Sequence, residues 1–291
     1  MFQIRSCITH WLRAILSLIL VVVLVLNDPS QALANPFENI IQRVQSIFAP
    51  PKTKAKQTAI AGRGVAGAGR GRCPALVALG KDEIPLTAFV PVIQEEQSSS
   101  SNSDDISLSK LNYVWGKTTE AYPTFLFYIP YVYKKSEVEY GKFVLLDKDK
   151  HRVTGPIFVK IPVDKPSIAK FTLPESAKPL EINQEYTWYF SIICNPLKPS
   201  RNPGVTGWIE RVQLPILPPQ NYLYYAQQGI WYDTVTHLVE NANIQTQSAQ
   251  KDWILLVNYI FPNVKDKDTL QQISSVQDIQ ELIPEPNPPT L

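Results

Sequence analysis

Cysteine, histidine and methionine are all scarce, at three, three and one in 291 residues. Three cysteines cannot build a four-cysteine zinc centre or a disulfide-dense miniprotein. Charged residues make up only 19% of the chain, and a formal net charge of +2 points to no nucleic-acid partner. The usual catalytic strings are missing as well: there is no Gly-x-Ser-x-Gly elbow, no His-Glu-x-x-His, no Cys-x-x-Cys and no P-loop. What the chain does have is proline (25 residues) and aromatic rings (6 Trp, 13 Tyr, 11 Phe). That composition excludes a disordered chain, a collagen-like repeat and a coiled coil.

The first 34 residues read as a secretory signal peptide. Arg5, His10 and Arg13 form a positive start, and residues 14–26 are apolar apart from Ser17. Such a run suits a signal core and is too short to span a bilayer. Ala32-Leu33-Ala34 supplies small residues for the peptidase, so cleavage is expected between Ala34 and Asn35. The alternative is an uncleaved anchor. The mature chain, residues 35–291, has no later segment apolar enough to cross a membrane. It is therefore expected outside the cytoplasm, in the periplasm or beyond. Cys7 leaves with the signal. Cys73 and Cys194 remain as one pair, and an oxidising compartment favours a disulfide between them over two separate buried thiols.

Residues 35–72 carry seven basic residues and one acid, whereas residues 73–291 carry 19 basic and 24 acidic. With Ala-Pro-Pro at 49–51 and a Gly/Arg run at 62–72, this segment is expected to be a flexible basic leader. Residues 37–48 could form an amphipathic turn or two, since Ile40, Ile41, Val44 and Ile47 share a face. Gly62-x-Gly64-x-x-Gly67 matches a dinucleotide fingerprint only as a string, without the strand, helix and acid that give the motif its physics. The Ser-rich stretch 97–105 reads as a loop, and 283–291 as an extended Pro-rich tail.

Residues 73–215 read as short strands between Pro, Gly and charged turns. Strands are expected at 86–90, 124–129, 137–146, 152–161, 168–173, 185–194 and 205–214. In the sixth, Tyr186, Trp188, Phe190, Ile192 and Cys194 share one face. So apolar a face calls for a second sheet. The lead-in to Tyr186 matches a tyrosine corner, in which the ring hydroxyl bonds back to the backbone. The expected fold is thus mostly β: an immunoglobulin-like antiparallel β-sandwich with a small C-terminal helical hairpin or bundle. After Pro218-Pro219 the apolar period lengthens, and helices are expected at 221–228, 230–242, 249–260 and 268–282, the first two broken at Gly229. The string from Ala226 to Val235 resembles one tetratricopeptide turn, read as a hairpin packed on the sandwich.

Several strings together resemble a cyanobacterial family of exported proteins, the domain of unknown function 928 (DUF928). They are Arg72-Cys73-Pro74, Leu86-Thr-Ala-Phe-Val-Pro91, Thr118-Thr-Glu-Ala-Tyr-Pro-Thr-Phe-Leu-Phe-Tyr-Ile-Pro130, Tyr186-Thr-Trp-Tyr-Phe-Ser-Ile-Ile-Cys194, Gly207-Trp-Ile-Glu-Arg-Val212 and Gly229-Ile-Trp-Tyr-Asp233. The resemblance runs from about Gly62 to Ile260. It implies an exported, envelope-associated protein in which both Cys73 and Cys194 belong to the family pattern. It carries no catalytic residues.

No catalytic, cofactor-binding or metal-ligating set is therefore expected, and no cofactor. Asp147-x-Asp149 lacks the Gly and the bidentate Glu of a calcium loop. Glu120, Glu210 and Asp233, beside aromatic clusters, are the best carboxylates for a carbohydrate-active enzyme. A binding or adaptor role is favoured over that, with an envelope protein or polysaccharide as partner. The alternative is a structural subunit of an envelope or secretion assembly. Tyr128, Tyr131 and Tyr133 are the candidate ligand-facing aromatics, against the reading that alternate ones fill the core.

Overall fold

The computed structural model describes residues 35–48, 76–78, 84–96, 110–133, 140–162, 165–194, 202–214, 221–243, 246–275 and 279–286. Strand β10 (Glu185–Ile192) sets the frame. Tyr186, Trp188, Phe190 and Ile192 on its inner face are buried, as the alternation requires. It pairs antiparallel with β11 (Gly204–Arg211) and β7 (Tyr140–Leu146). Beyond β7 lies β8 (Ile157–Lys160). Beyond β11 lie β4 (Lys110–Thr118) and β3 (Val92–Glu96), giving the order β3-β4-β11-β10-β7-β8.

A second sheet has the order β12-β9-β5-β2, built from Ile279–Glu281, Ser167–Thr172, Thr124–Ile129 and Thr87–Ala88. The two sheets meet through rings. Phe127 of β5 stacks on Phe190 at 4.2 Å, Phe125 meets Trp188 edge-on at 5.8 Å, and Phe143 tilts against Phe171 at 4.6 Å. A short pair, β1 (Leu76–Ala78) with β6 (Tyr131–Tyr133), stands apart.

The mostly β class with a helical C-terminal segment is therefore what the protein adopts, but the sheets are mixed rather than antiparallel. β11 runs parallel to β4, aligning Trp208 with Trp115, and β12 runs parallel to β9. Parallel neighbours need a long crossover instead of a hairpin. Here the chain between β4 and β11 supplies that crossover by building five other strands of the sandwich.

The helices of the C-terminal segment are α3 (Tyr222–Gln227), α4 (Trp231–Asn243), α5 (Gln247–Ile260) and α6 (Lys267–Ile273). Asn221 caps α3 by accepting the Leu223 N–H at 2.9 Å. Gly229 separates α3 from α4 at φ 71°, and an added Cβ would lie 2.9 Å from the Ile47 carbonyl oxygen. Helix α4 enters the sandwich rather than resting on it. The Tyr232 hydroxyl accepts from Trp188 Nε1 at 2.7 Å and donates to the Trp208 carbonyl at 3.1 Å, while Trp231 Nε1 donates to the Phe89 carbonyl at 2.7 Å. Trp253 of α5 stacks on the same Phe89 at 5.3 Å. Helices and sheets thus share one apolar cluster. Among the described residues, no helix is long and apolar enough to cross a membrane.

Three expectations are corrected at the ends of the chain. Residues 35–48 are not part of a flexible leader: they form α1 (Pro36–Gln42) and α2 (Val44–Ile47), which bury Phe37, Ile40, Val44 and Phe48. Those four apolar side chains outweigh the single cation, Arg43, of this stretch. The rest of the basic leader lies outside the described residues, as does the Ser-rich stretch. The fourth helix stops at Ile273, and residues 279–281 form β12 instead. The start of the Pro-rich tail is held to the sheet, because Pro284 bridges Val159 and the Glu285 N–H donates to the Phe158 carbonyl at 2.8 Å. Proline lacks a donor, yet its neighbours' backbone groups still pair.

Candidate functional site

The sandwich ends in two polar constructions, one closed and one open. The closed one joins the β4–β5 connection to α4. The Asp233 carboxylate is buried, accepts the Thr118 hydroxyl at 2.5 Å and the Thr119 N–H at 2.9 Å, and also accepts the Thr119 hydroxyl. Burial raises its pKa, and these hydrogen bonds oppose the rise. Burial raises the pKa of Tyr225, the charges of Asp233 and Glu120 raise it further, and the Glu120 charge adds to the rise at Asp233. Tyr225 stacks on His237 at 5.0 Å, and His237 Nδ1 lies 3.6 Å from Glu240. The fold therefore gathers Glu120 and Asp233 around Tyr225, with Asp233 fully occupied as a brace between strand and helix.

Glu210 lies elsewhere. It sits on β11 opposite Glu185 on one side and Lys117 on the other. The three carboxylates nominated from the sequence do not form a single site.

The open construction is a cleft of about 300 Å³ at the end of the six-stranded sheet. One wall is the turn after β7, carrying Asp147, Asp149 and Arg152; the other is the corner before β10, carrying Lys178, Glu181 and Glu185. The turn is local chemistry. Asp147 Oδ1 accepts the N–H groups of Asp149 and His151, each at 2.9 Å, and Lys150 takes a positive φ of 64°. The corner is the one expected from the sequence: the Tyr186 hydroxyl accepts the Glu181 N–H at 2.9 Å. Lys178 pairs with Glu181 at 2.7 Å, and that hydrogen bond raises its pKa.

Asp147, Asp149 and His151 bring their ligand atoms within 4.8 Å of one another. Asp147 Oδ1 already serves the turn, and Lys148 and Arg152 crowd the same wall, which weighs against a cation there.

Beyond the cleft, Glu185, Thr187 and Tyr189 share one face of β10 with steps of about 7 Å, Thr187 itself being buried at 3% exposure. Trp115 Nε1 donates to Glu185 at 3.3 Å, and the Lys117 ammonium lies over the Trp115 ring at 5.7 Å. Lys150 donates to Thr187 at 3.1 Å. Tyr189 is 40% exposed.

The aromatics nominated from the sequence fare differently. Tyr128 is not ligand-facing: it is 4% exposed, packs edge-on against Phe261 at 5.5 Å, and burial pushes its pKa up to about 12. β5 is covered on both faces, by the facing sheet and by the helical segment, so neither of its faces reaches solvent. Tyr131 and Tyr133 pair through their backbones with β1, and their side chains lie outside the described residues. Tyr189 is the exposed ring that was missed, although its place opposite the Trp188 face was a readable signal. Cys194, just past β10, is half-buried and its N–H donates to Asn202 at 3.0 Å; Cys73 lies outside the described residues. Ala34 also lies outside them, while Asn35 is placed.

The protein is thus a two-sheet sandwich of mixed strands, closed by inserted helices, with a charged cleft at one end. Residues 65–268 match the family model Domain of Unknown Function (DUF928), and the chain belongs to that family. No curated protein and no solved structure matches it.

Proposed function

We propose that this chain is an exported, non-enzymatic binding or adaptor protein of a cyanobacterial cell envelope, cleaved after Ala34. Its ligand is an extended polar chain, polysaccharide or protein, lying in the charged cleft and reaching past Lys150, which bonds the buried Thr187, to Tyr189. The observation that carries this reading is a cleft with side chains of both charge signs, lined by Glu185 of β10, and an exposed tyrosine, Tyr189, further along the same strand. Such a surface offers hydrogen bonds at one end and a flat apolar ring at the other, with little ordering cost. A binding role is further supported by the bracing position of Asp233, which leaves no free carboxylate pair there. A disulfide between Cys73 and Cys194 belongs to the same proposal, supported by Cys194 being disulfide-bonded.

The test compares residues 35–291 with Tyr189→Ala and with Arg152→Ala/Lys178→Ala against soluble envelope polysaccharide and envelope protein fractions, at low and high salt. The proposal expects retention to fall about tenfold or more in both variants with Tm unchanged. Equal retention, or none by the parent protein, overturns it. A structural-subunit role is the second reading, supported by Ile254 on α5, which is exposed on the helical end. Sedimentation separates the two: a stable larger complex lost in Ile254→Lys favours the subunit.

A further inference from the structure

Asp252 of α5 is a buried carboxylate, 2% exposed, with no cation beside it among the described residues. Its two oxygens accept from neutral donors only: the Asn35 side-chain amide at 2.5 Å and the Tyr222 hydroxyl at 2.7 Å. A buried charge served only by neutral groups keeps much of its desolvation cost, which an adjacent opposite charge offsets. The residue that touches it is the one expected to become the chain's first. Asn35 also caps α1 by accepting the Phe37 N–H at 3.0 Å. Covalent geometry keeps its backbone nitrogen within about 7 Å of the Asp252 carboxylate.

We infer that cleavage between Ala34 and Asn35 supplies the missing counter-charge: the α-ammonium released on Asn35 pairs with Asp252 and locks the N-terminal helices onto the body. This rests on the proposed export and cleavage. Hydrolysis of the 34–35 peptide bond by water leaves a carboxylate on Ala34 and an amine on Asn35, which takes up a proton at neutral pH. The lock has a built-in order. A protease reads its substrate as an extended segment, whereas in the folded protein Asn35 is a helix cap and Phe37 and Ile40 are buried. Cleavage therefore precedes seating of α1. Once seated, the strap is held by Phe37 against Tyr222 at 5.7 Å, Phe48 against Trp231 at 4.8 Å, and Gln45 donating to the Val92 carbonyl at 2.8 Å.

The experiment prepares residues 35–291 with a free Asn35 amine and with an Nα-acetyl group, each in the parent and the Asp252→Asn background. The free amine should raise Tm by about 2–6 °C in the parent. The difference should vanish in Asp252→Asn. Equal Tm values in the parent, or a difference that persists in the variant, overturn the pairing. Should Asp252→Asn fail to fold, the rate at which a small acylating reagent modifies the Asn35 amine decides instead. It should fall about tenfold between urea-unfolded and folded parent protein, and equal rates overturn the proposal. N-terminal sequencing of the native protein separates the two readings. A start other than Asn35 refutes the cleavage, and with it the source of the charge. A start at Asn35 with equal Tm values refutes the pairing alone.

Discussion

Tyr232 concentrates more of the molecule's polar bookkeeping than any motif does. Its hydroxyl takes a hydrogen from the Trp188 indole and gives one to the Trp208 carbonyl, so helix, inner face and neighbouring strand meet at one buried oxygen. Removing that oxygen strands a buried indole N–H and a carbonyl. Tyr232→Phe should lose about 1–3 kcal/mol of unfolding free energy, read by urea denaturation. Asp233, one residue on, predicts a pH dependence. Burial raises its pKa above the ordinary carboxylate value, so proton binding favours the folded state. That contribution is fully present below the unfolded carboxylate pKa of about 3.9 and fades as pH rises through the folded value. Comparing Asp233→Asn with the parent by urea unfolding, the balance should shift toward the parent as pH falls across that window. A difference independent of pH would contradict the shift.

Among elements, the N-terminal helices have the most to say about how the chain is read. Their amphipathic face was visible in Ile40, Val44 and Ile47, but the glycine- and arginine-rich run beyond residue 60 coloured the whole segment as leader. Only the partners reveal the helices as core, and those lie on α3, α4 and α5. Gly229 reports the contact directly, because its φ of 71° and the Ile47 carbonyl beside it leave no room for a side chain. Gly229→Ala should cost about 1–3 kcal/mol and raise amide exchange across residues 36–48. Phe48→Ala should cost about 3–5 kcal/mol by emptying the site against Trp231. Strands β5 and β10 were legible because their alternation is dense. β3, with Gln94, Glu95 and Glu96, and β4, which opens on Lys110 and contains Gly116 and Lys117, lack that signature. β12 has no signature either, because three residues in Ile-Gln-Glu carry no usable period. The tyrosine corner was legible as a local device. The cleft was not, since its two walls lie some thirty residues apart and meet only when β7 and β10 pair.

For the molecule as a whole, the helical segment expected to pack on the sandwich shares one apolar core with it. Far-UV and near-UV signals, helix and sheet alike, should therefore melt in a single coincident transition. Two separated transitions would contradict it. Removing residues 279–291 takes β12 from β9 and Glu281 from Lys170, exposing a sheet edge. The truncated chain should show a lower Tm and a rise in light scattering at high concentration.

The bond from Asn35 to Asp252 joins residues 217 positions apart. Contacts of such span form late, since loop closure over most of the chain must come before any gain from packing. No partial chain emerging from synthesis holds the complete core, because α1 waits for α5. Folding should accordingly be slow, of the order of seconds, and should begin in earnest only after the last residues are free.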